Sequence, residues 1–179
     1  MSPGPATSGT THGAGAAVVR EVAWDHPAAV ALRAGMGAEI DPRYADQAHR
    51  LGPALSPDPA EMVLTLVAFD GEVPVACGSL RHLPEPVDVA GVAAPLEVKK
   101  LFVATTHRRL GLASRMLTEV TAAATRRGAG ALVLHTGTRQ PEAVALYEAA
   151  GWAVIPVYGE YAVIADVSLC FGRVLGPGG

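Results

Sequence analysis

The segment from residue 96 to residue 135 constrains the fold more than any other part of the chain. Between 112 and 127, apolar side chains recur about every 3.6 residues, and this spacing predicts an amphipathic helix. They are Leu112, Met116, Leu117, Val120 and Ala124. Gly128 is placed to end the helix. The short apolar runs 96–103 and 131–135 on either side predict strands. A helix between two strands indicates an α/β sheet fold.

Further strands and helices are predicted on both sides of this segment. The strands are predicted at 18–24, 62–69, 73–83, 152–157 and 165–174, the helices at 28–36 and 141–150, and loops at 52–59 and 84–95. The turn at 41–44 can start a further helix towards Arg50, and Asp70-Gly71 is a strong hairpin signal. We therefore expect one α/β domain over 17–175, with a mixed sheet covered by helices. The ends, 1–16 and 176–179, are expected to be a disordered tail and a loose C-terminus.

The composition excludes several classes of protein. The 179 residues carry a net charge of −3 and an isoelectric point near 6.0. This argues against a nucleic-acid partner, because such proteins tend to carry a basic excess. No apolar run approaches the ~20 residues that span a bilayer, and no secretory signal is visible. Cys77 and Cys170 lie far apart, without a CxxC or Cys/His cluster. We expect two buried, reduced thiols in a cytoplasmic protein, and neither a disulfide framework nor a zinc site.

The turn between strand 96–103 and the following helix is basic and contains small residues. Arg108 and Arg109 precede Gly111 and Ala113, and a glycine lets the backbone approach a ligand closely. The first turn of a helix presents unbonded N–H groups and the positive end of the helix dipole. The arginines add charge-assisted contacts. The segment therefore predicts a phosphate- or pyrophosphate-binding loop. The alternative is a solvated, basic helix start.

Two blocks of the sequence resemble the GNAT superfamily of acyl-CoA-dependent N-acyltransferases. Arg108-x-x-Gly111-x-Ala113 matches its (Gln/Arg)-x-x-Gly-x-(Gly/Ala) signature, and the preceding 97–103 is similar to its central strand. The block from Gln140 to Trp152 follows in the right order and at the right distance. The resemblance is to a bacterial branch and is clear over 62–173. It implies an α/β fold with a mixed, mostly antiparallel sheet of about six to seven strands and about four helices. The sheet would be splayed between the fourth and fifth strands.

The resemblance also implies acetyl-CoA as the co-substrate and no metal. The loop would hold the pyrophosphate through backbone N–H groups, and the freed strand backbone would pair with the pantetheine arm. Gln140 stands where many members carry an asparagine that hydrogen-bonds this arm. The implied coenzyme-binding residues are Phe102, Val103, Arg108, Arg109, Leu110, Gly111, Leu112, Ala113, Ser114 and Gln140.

Catalytic roles are implied for two side chains and one backbone group. The N–H of Val103, unpaired where the strands diverge, would stabilise the oxyanion. Tyr147 would protonate the departing thiolate, and Glu97 would be the general base. For Tyr147 the alternative is a core tyrosine. For Glu97 it is a salt bridge with Lys99 or Lys100, or a solvated carboxylate, with the amine deprotonated by solvent.

Acceptor binding is implied at two further places. Tyr158 and Tyr161 precede the last strand and could line the acceptor pocket, with aromatic packing at a hairpin as the alternative. Glu39 and Arg43 lie in the N-terminal helical part, which commonly forms one wall of that pocket. The histidines show no catalytic or metal-binding spacing, so we expect them to be surface or core residues.

The resemblance therefore implies an N-acetyltransferase. It would move the acetyl group from acetyl-CoA to a primary amine of a small molecule or an amino-acid-like acceptor, by direct attack in a ternary complex. Two alternatives stay open: a non-catalytic acyl-CoA sensor, and an acetyltransferase acting on proteins or peptides. Many relatives are dimers, so a homodimer is also open.

Overall fold

Seven strands and four α-helices make up the part of the chain that this computed structural model describes, residues 17–176. The strands are β1 (Val18–Glu21), β2 (Met62–Asp70), β3 (Val73–Val89), β4 (Val92–Val103), β5 (Ala131–Gly137), β6 (Ala153–Ile155) and β7 (Ser168–Val174). The helices are α1 (Pro27–Ile40), α2 (Ala48–Leu55), α3 (Leu112–Arg126) and α4 (Pro141–Ala149). Shorter 3₁₀ segments lie at Asp41–Gln47, Pro59–Glu61, Thr105–His107 and Gly159–Val167. The predicted loose ends, apart from Gly176, lie outside the described residues.

All seven strands belong to one sheet, in the order β1-β2-β3-β4-β5-β7-β6. Every neighbouring pair is antiparallel except β4 and β5. These two strands run parallel and pair only from Leu96 to Val98 of β4. Beyond Val98 they separate. The predicted fold class, a mostly antiparallel mixed sheet that opens between its fourth and fifth strands, is therefore confirmed.

The separation of β4 from β5 begins at a β-bulge. Between the cross-strand pairs Cys77–Phe102 and Ser79–Lys99, two residues of β4 face one residue of β3. Lys100, the first of the two, has a φ of 54°. A bulge bends its strand and increases the local twist. The end of β4 is thereby directed away from β5, which leaves a gap in the middle of the sheet.

The helices cover both faces of the sheet. The predicted apolar positions of α3 are all buried, and they pack with Tyr147 and Phe171 on one face. On the other face, α1 places Ala29 and Leu32 against Val67 of β2. No helix among residues 17–176 is long and apolar enough to cross a membrane.

The prediction of a loop at 84–95 is wrong. β3 and β4 continue through this stretch and meet in a two-residue turn, where Ala90 and Gly91 have φ values of 51° and 83°. The β3–β4 ladder is irregular between His82 and Val87, where two prolines stand in the sequence. Because proline has no N–H to donate, it is tolerated in a strand where the ladder is interrupted. The prolines therefore mark an irregular hairpin and do not end the strand.

Other boundaries also differ from the prediction: β1 ends at Glu21 and not at 24, α1 continues past 36 to Ile40, and the last-but-one strand shortens to Ala153–Ile155. Helix α2 extends to Leu55, so the predicted loop at 52–59 shrinks to the residues after it. The last strand begins only at Ser168, because Gly159–Val167 forms 3₁₀ turns. The apolar residues of that segment resemble a strand in composition, but they pack against α2 and the 41–47 turns. Tertiary packing decides the structure of this segment.

Candidate active site

The phosphate-binding loop predicted from the sequence has the backbone of an anion site. Arg109 and Gly111 both take positive φ values, 63° and 77°, and α3 begins at Leu112 without a side-chain cap. The first backbone hydrogen bond of the helix is donated by Arg115 N to Gly111 O, at 3.0 Å. The N–H groups of residues 112–114 therefore have no acceptor within the helix. A Cβ on Gly111 would meet nothing within 4 Å, so the backbone there is open to a ligand.

Arg108 holds this loop onto α1. Its two terminal nitrogens contact both carboxylate oxygens of Glu39, at 2.9 and 2.5 Å, and its Nε donates to Val103 O at 3.0 Å. Hydrogen bonding to Arg108 lowers the pKa of Glu39. The family resemblance assigned Arg108 to the coenzyme and Glu39 to the acceptor. The structure joins these two side chains in one ion pair, so neither charge is free.

The backbone of Val103 faces the gap between β4 and β5. Ala104 N donates to Val75 O of β3 at 2.8 Å, and the direction of backbone groups alternates along a strand. The N–H and C=O of Val103 therefore point away from β3, and the C=O accepts the bond from Arg108. This is the orientation that the predicted oxyanion role requires.

Tyr147 lies on α4 and is 7% exposed. Its ring packs against Phe171 and Trp152, with centroid distances of 5.6 and 6.4 Å. Burial raises the pKa of its phenol to about 12, so the hydroxyl keeps its proton at neutral pH. No group among residues 17–176 hydrogen-bonds to this hydroxyl. The ring packing matches the core interpretation, and the unbonded hydroxyl leaves the predicted acid role open.

Glu97 is completely buried and its carboxylate is fully engaged. Oε2 accepts from Arg81 Nε at 2.6 Å, and Oε1 accepts from the hydroxyls of Tyr161 and Tyr158 at 2.6 and 3.0 Å. Lys99 Nζ lies 3.9 Å from Oε1. Both carboxylate oxygens thus accept hydrogen bonds from the protein, and the side chain has no exposed surface through which a substrate could reach it. The geometry therefore favours the salt-bridge interpretation over the general base, with Arg81 as the main partner.

Sequence reasoning missed Arg81, although a signal for it exists. Arg81 stands directly across from Glu97 in the β3–β4 register, and opposite charges at such positions form cross-strand pairs. Finding the pair from the sequence requires the register of an irregular hairpin that was predicted to be a loop. Arg81 also contacts Glu61 and Glu160, at 3.1 and 2.5 Å, so it joins three segments of the chain.

A cavity of about 440 Å³ lies beside the bulge. Its walls come from α1, the 41–47 turns, α2, the ends of β4 and β5, and the 159–167 segment. Glu39, Arg43, Tyr158 and Tyr161 are not among the lining residues, so none of the four predicted acceptor residues faces this cavity. Tyr161 is completely buried within the Glu97 cluster.

Arg43 joins elements next to the cavity without lining it. It contacts Glu39 at 3.3 Å, forms an ion pair with Glu142 and donates to the carbonyl of Arg139 at 3.2 Å. Gln140 precedes α4, and its carbonyl accepts from two residues of the first turn. Its role towards the coenzyme stays a prediction.

His135 lines the cavity and is neutral. Burial lowers its pKa to about 3, and the nearby cations Lys99 and Arg81 act in the same direction. Its ring stacks on Tyr161 at 3.9 Å. Ser168 donates to Ile164 O at 2.8 Å, so it accepts from His135 Nε2, at 2.9 Å. This leaves Nδ1 of His135 without a proton. The sequence predicted only that His135 is a surface or core residue.

The comparisons with known proteins agree with this architecture. The family model for the acetyltransferase (GNAT) family matches residues 24–152. The chain belongs to the acetyltransferase (GNAT) family. The resemblance deduced from the loop and the 140–152 block is thereby confirmed. No curated protein matches the chain.

Solved structures with the GNAT fold are similar over 89% of the chain and 98% to 99% of their own length. A Klebsiella pneumoniae protein, assigned as an acyl-CoA N-acyltransferase, is 21% identical with a TM-score of 0.69. An IAA acetyltransferase from Bacillus cereus is 17% identical with a TM-score of 0.59. A GNAT acetyltransferase from Elizabethkingia anophelis, solved with acetyl-CoA bound, is 14% identical with a TM-score of 0.60. At these identities the comparison shows the shared fold.

Proposed function

We propose that this GNAT protein transfers an acetyl group from acetyl-CoA to a primary amine of a small or amino-acid-like acceptor. The observation that carries the proposal is the open loop at residues 109–114, placed where β4 separates from β5. The loop offers unbonded N–H groups to phosphates, and the gap beside it gives access to the free backbone of β4. The Elizabethkingia anophelis structure, with acetyl-CoA bound, supports the choice of coenzyme.

The chain would contribute three elements to the transfer. The N–H of Val103 would stabilise the negative charge that develops on the thioester oxygen. The Tyr147 hydroxyl is protonated at neutral pH and would donate this proton to the departing thiolate. Since both oxygens of Glu97 are occupied, the amine would lose its proton to solvent. Glu97 then acts on the reaction only by fixing Arg81 and Lys99.

The acceptor would enter through the cavity beside the bulge. Its volume of about 440 Å³ lies in the range of sites for small molecules. Several segments distant in sequence enclose it, which favours a compact acceptor over a long peptide. Acetyl-CoA binding without transfer to any amine of a broad panel would instead favour the sensor alternative.

Calorimetry of the protein with acetyl-CoA tests the proposal. We expect micromolar binding that is lost in Gly111→Glu, because this change puts a carboxylate at the anion site. Gly91→Glu is the matched control. Gly91 has a similar φ of 83° and equally open surroundings, but it lies in the β3–β4 turn. No binding to the wild-type protein at millimolar acetyl-CoA, or equal loss in both variants, would refute the phosphate loop.

A further inference from the structure

Three cationic side chains line the cavity beside the bulge, against one acidic side chain. The cations are Arg33 of α1 and Lys99 and Lys100 of β4, and the acid is Asp41. The two lysines are the only ones in the 179-residue sequence. In a regular strand, consecutive side chains point to opposite faces. The bulge at Lys100 cancels this alternation, so both lysines reach the same cavity.

These cations keep hydrogen-bond donors that no residue in the described part of the chain satisfies. Among the described residues, Lys100 Nζ makes a single long hydrogen bond, to Leu55 O at 3.3 Å, although an ammonium group carries three donors. Lys99 Nζ donates to the Tyr161 hydroxyl at 2.6 Å. The Arg33 guanidinium already contacts Trp24, because it stacks on the Trp24 ring at 3.6 Å and its Nη2 donates to Trp24 O at 2.7 Å. The unused N–H donors at the cavity therefore belong to the two lysines, and to Lys100 above all.

The nearby carboxylates neutralise this charge only in part, since Asp41 is the one acidic residue among the described lining residues and Glu97 is shared with Arg81. Glu97 is the closest, 3.9 Å from Lys99 Nζ, but Arg81 already occupies its other oxygen at 2.6 Å. Desolvated charges without partners are costly in a protein interior. An anionic group bound between the cations would offset that cost. The cavity wall thus carries an excess of positive charge that a bound anion would offset.

The remainder of the cavity wall is largely apolar. It includes Met36, Ile40, Leu51, Leu55, Ile164 and Val167. An apolar wall with a few convergent polar groups is typical of a site that orients one small ligand. The ligand must then carry both a hydrocarbon part and a compact negative group.

We infer that this cavity binds an apolar carboxylate, with Lys100 and Lys99 holding the carboxylate group and Arg33 adding positive charge to the wall. Together with the proposed function, on which this step rests, the acceptor is an amine that carries a carboxylate and an apolar side chain. The same cations repel an ammonium group, so they favour the neutral amine that can attack the thioester. The coenzyme phosphates would bind elsewhere. The loop at 109–114 comes after the end of β4, and that end lies about 10 Å along the strand from Lys100.

Three probes of equal chain length test the inference: hexanoate, hexanamide and hexylammonium, each titrated into the full chain at neutral pH by ligand-observed NMR. We expect hexanoate to bind at least about tenfold more tightly than the other two, since a charge-assisted hydrogen bond discriminates by this factor or more. Equal or tighter binding of hexanamide or hexylammonium overturns the inference. The absence of saturable hexanoate binding overturns it as well.

Variants at Lys100 test whether this residue binds the carboxylate group of the ligand. Lys100→Met keeps the length of the side chain and removes its charge, and we expect it to weaken hexanoate binding about tenfold or more. Lys100→Arg should retain binding. Arg173→Gln is the control, since Arg173 is exposed and pairs in β7 with Leu132, at the other end of β5. An unchanged hexanoate affinity in Lys100→Met would overturn the assignment.

The inference and the proposed function can fail separately. Acetyl-CoA calorimetry on the same samples reports on the loop at 109–114, and it should be unaffected by Lys100→Met. Hexanoate binding without acetyl-CoA binding would refute the proposed transferase activity and support the carboxylate site. Acetyl-CoA binding with transfer only to amines that lack a carboxylate would support the transferase and refute the carboxylate site.

Discussion

The two sides of the gap between β4 and β5 are built from different kinds of contact. On the proposed coenzyme side, the loop from Ala104 to Ser114 is one continuous stretch, shaped by two residues with positive φ and a helix start. On the proposed acceptor side, the cavity combines residues as distant in sequence as Arg33 and Val167. The first side depends on local backbone geometry. The second depends on a buried charge cluster that holds distant segments together.

This difference predicts that changes on the acceptor side cost stability, whereas changes at the reacting atoms cost only rate. The largest effect should come from Glu97→Gln. It removes the carboxylate charge beside Lys99 and leaves Arg81 with only the partly exposed Glu61 and Glu160, and removing one partner of a buried ion pair costs about 3–5 kcal/mol of unfolding free energy. Urea denaturation measures the loss. Glu72→Gln, in the exposed β2–β3 turn, is the control. Native stability with lost turnover would instead restore Glu97 as the general base.

Tyr147→Phe should show the opposite behaviour. The hydroxyl has no partner among residues 17–176, so its removal should leave the free energy of unfolding nearly unchanged. If it donates a proton to the thiolate, kcat should fall about a hundredfold, while the acetyl-CoA affinity stays the same. Steady-state kinetics and calorimetry on one preparation separate the two quantities. Unchanged turnover would reduce Tyr147 to a core residue.

The same division, between the loop and the cavity, decides which parts of the site could be predicted from the sequence. The loop could be predicted because its signature, Arg108 to Ala113, and the α3 periodicity lie next to each other in the chain. The parallel pairing and the splay came with the family resemblance. The acceptor side could not be predicted, since Tyr161, Arg81 and Glu97 meet only through tertiary packing. A bulge that brings two adjacent lysines into one cavity leaves no periodic signal.

The pH dependence of stability tests the buried cluster from another direction. The pKa of His135 is lowered from 6.5 to about 3 in the folded chain, so the unfolded chain binds this proton more readily. Its contribution to stability is therefore complete above about pH 6.5 and is lost as the pH falls towards 3. The expected loss is about 2 kcal/mol between pH 7 and pH 5. His135→Gln, which can still donate to Ser168, should remove this part of the slope in urea denaturation at several pH values. An identical slope in the variant would mean that His135 titrates normally.

The smallest expected effect tests the boundary between the two sides, the ion pair of Arg108 with Glu39. The two side chains are 36% and 26% exposed, so a double-mutant cycle of Arg108→Gln and Glu39→Gln should give a coupling of about 1 kcal/mol or less. If Arg108 only anchors the loop to α1, both single variants should weaken acetyl-CoA binding to the same small extent. The double variant should then be no worse than either. A much larger loss in Arg108→Gln than in Glu39→Gln would show that the guanidinium contacts the phosphates directly. In that case the coenzyme side would depend on a side-chain charge as well as on its backbone.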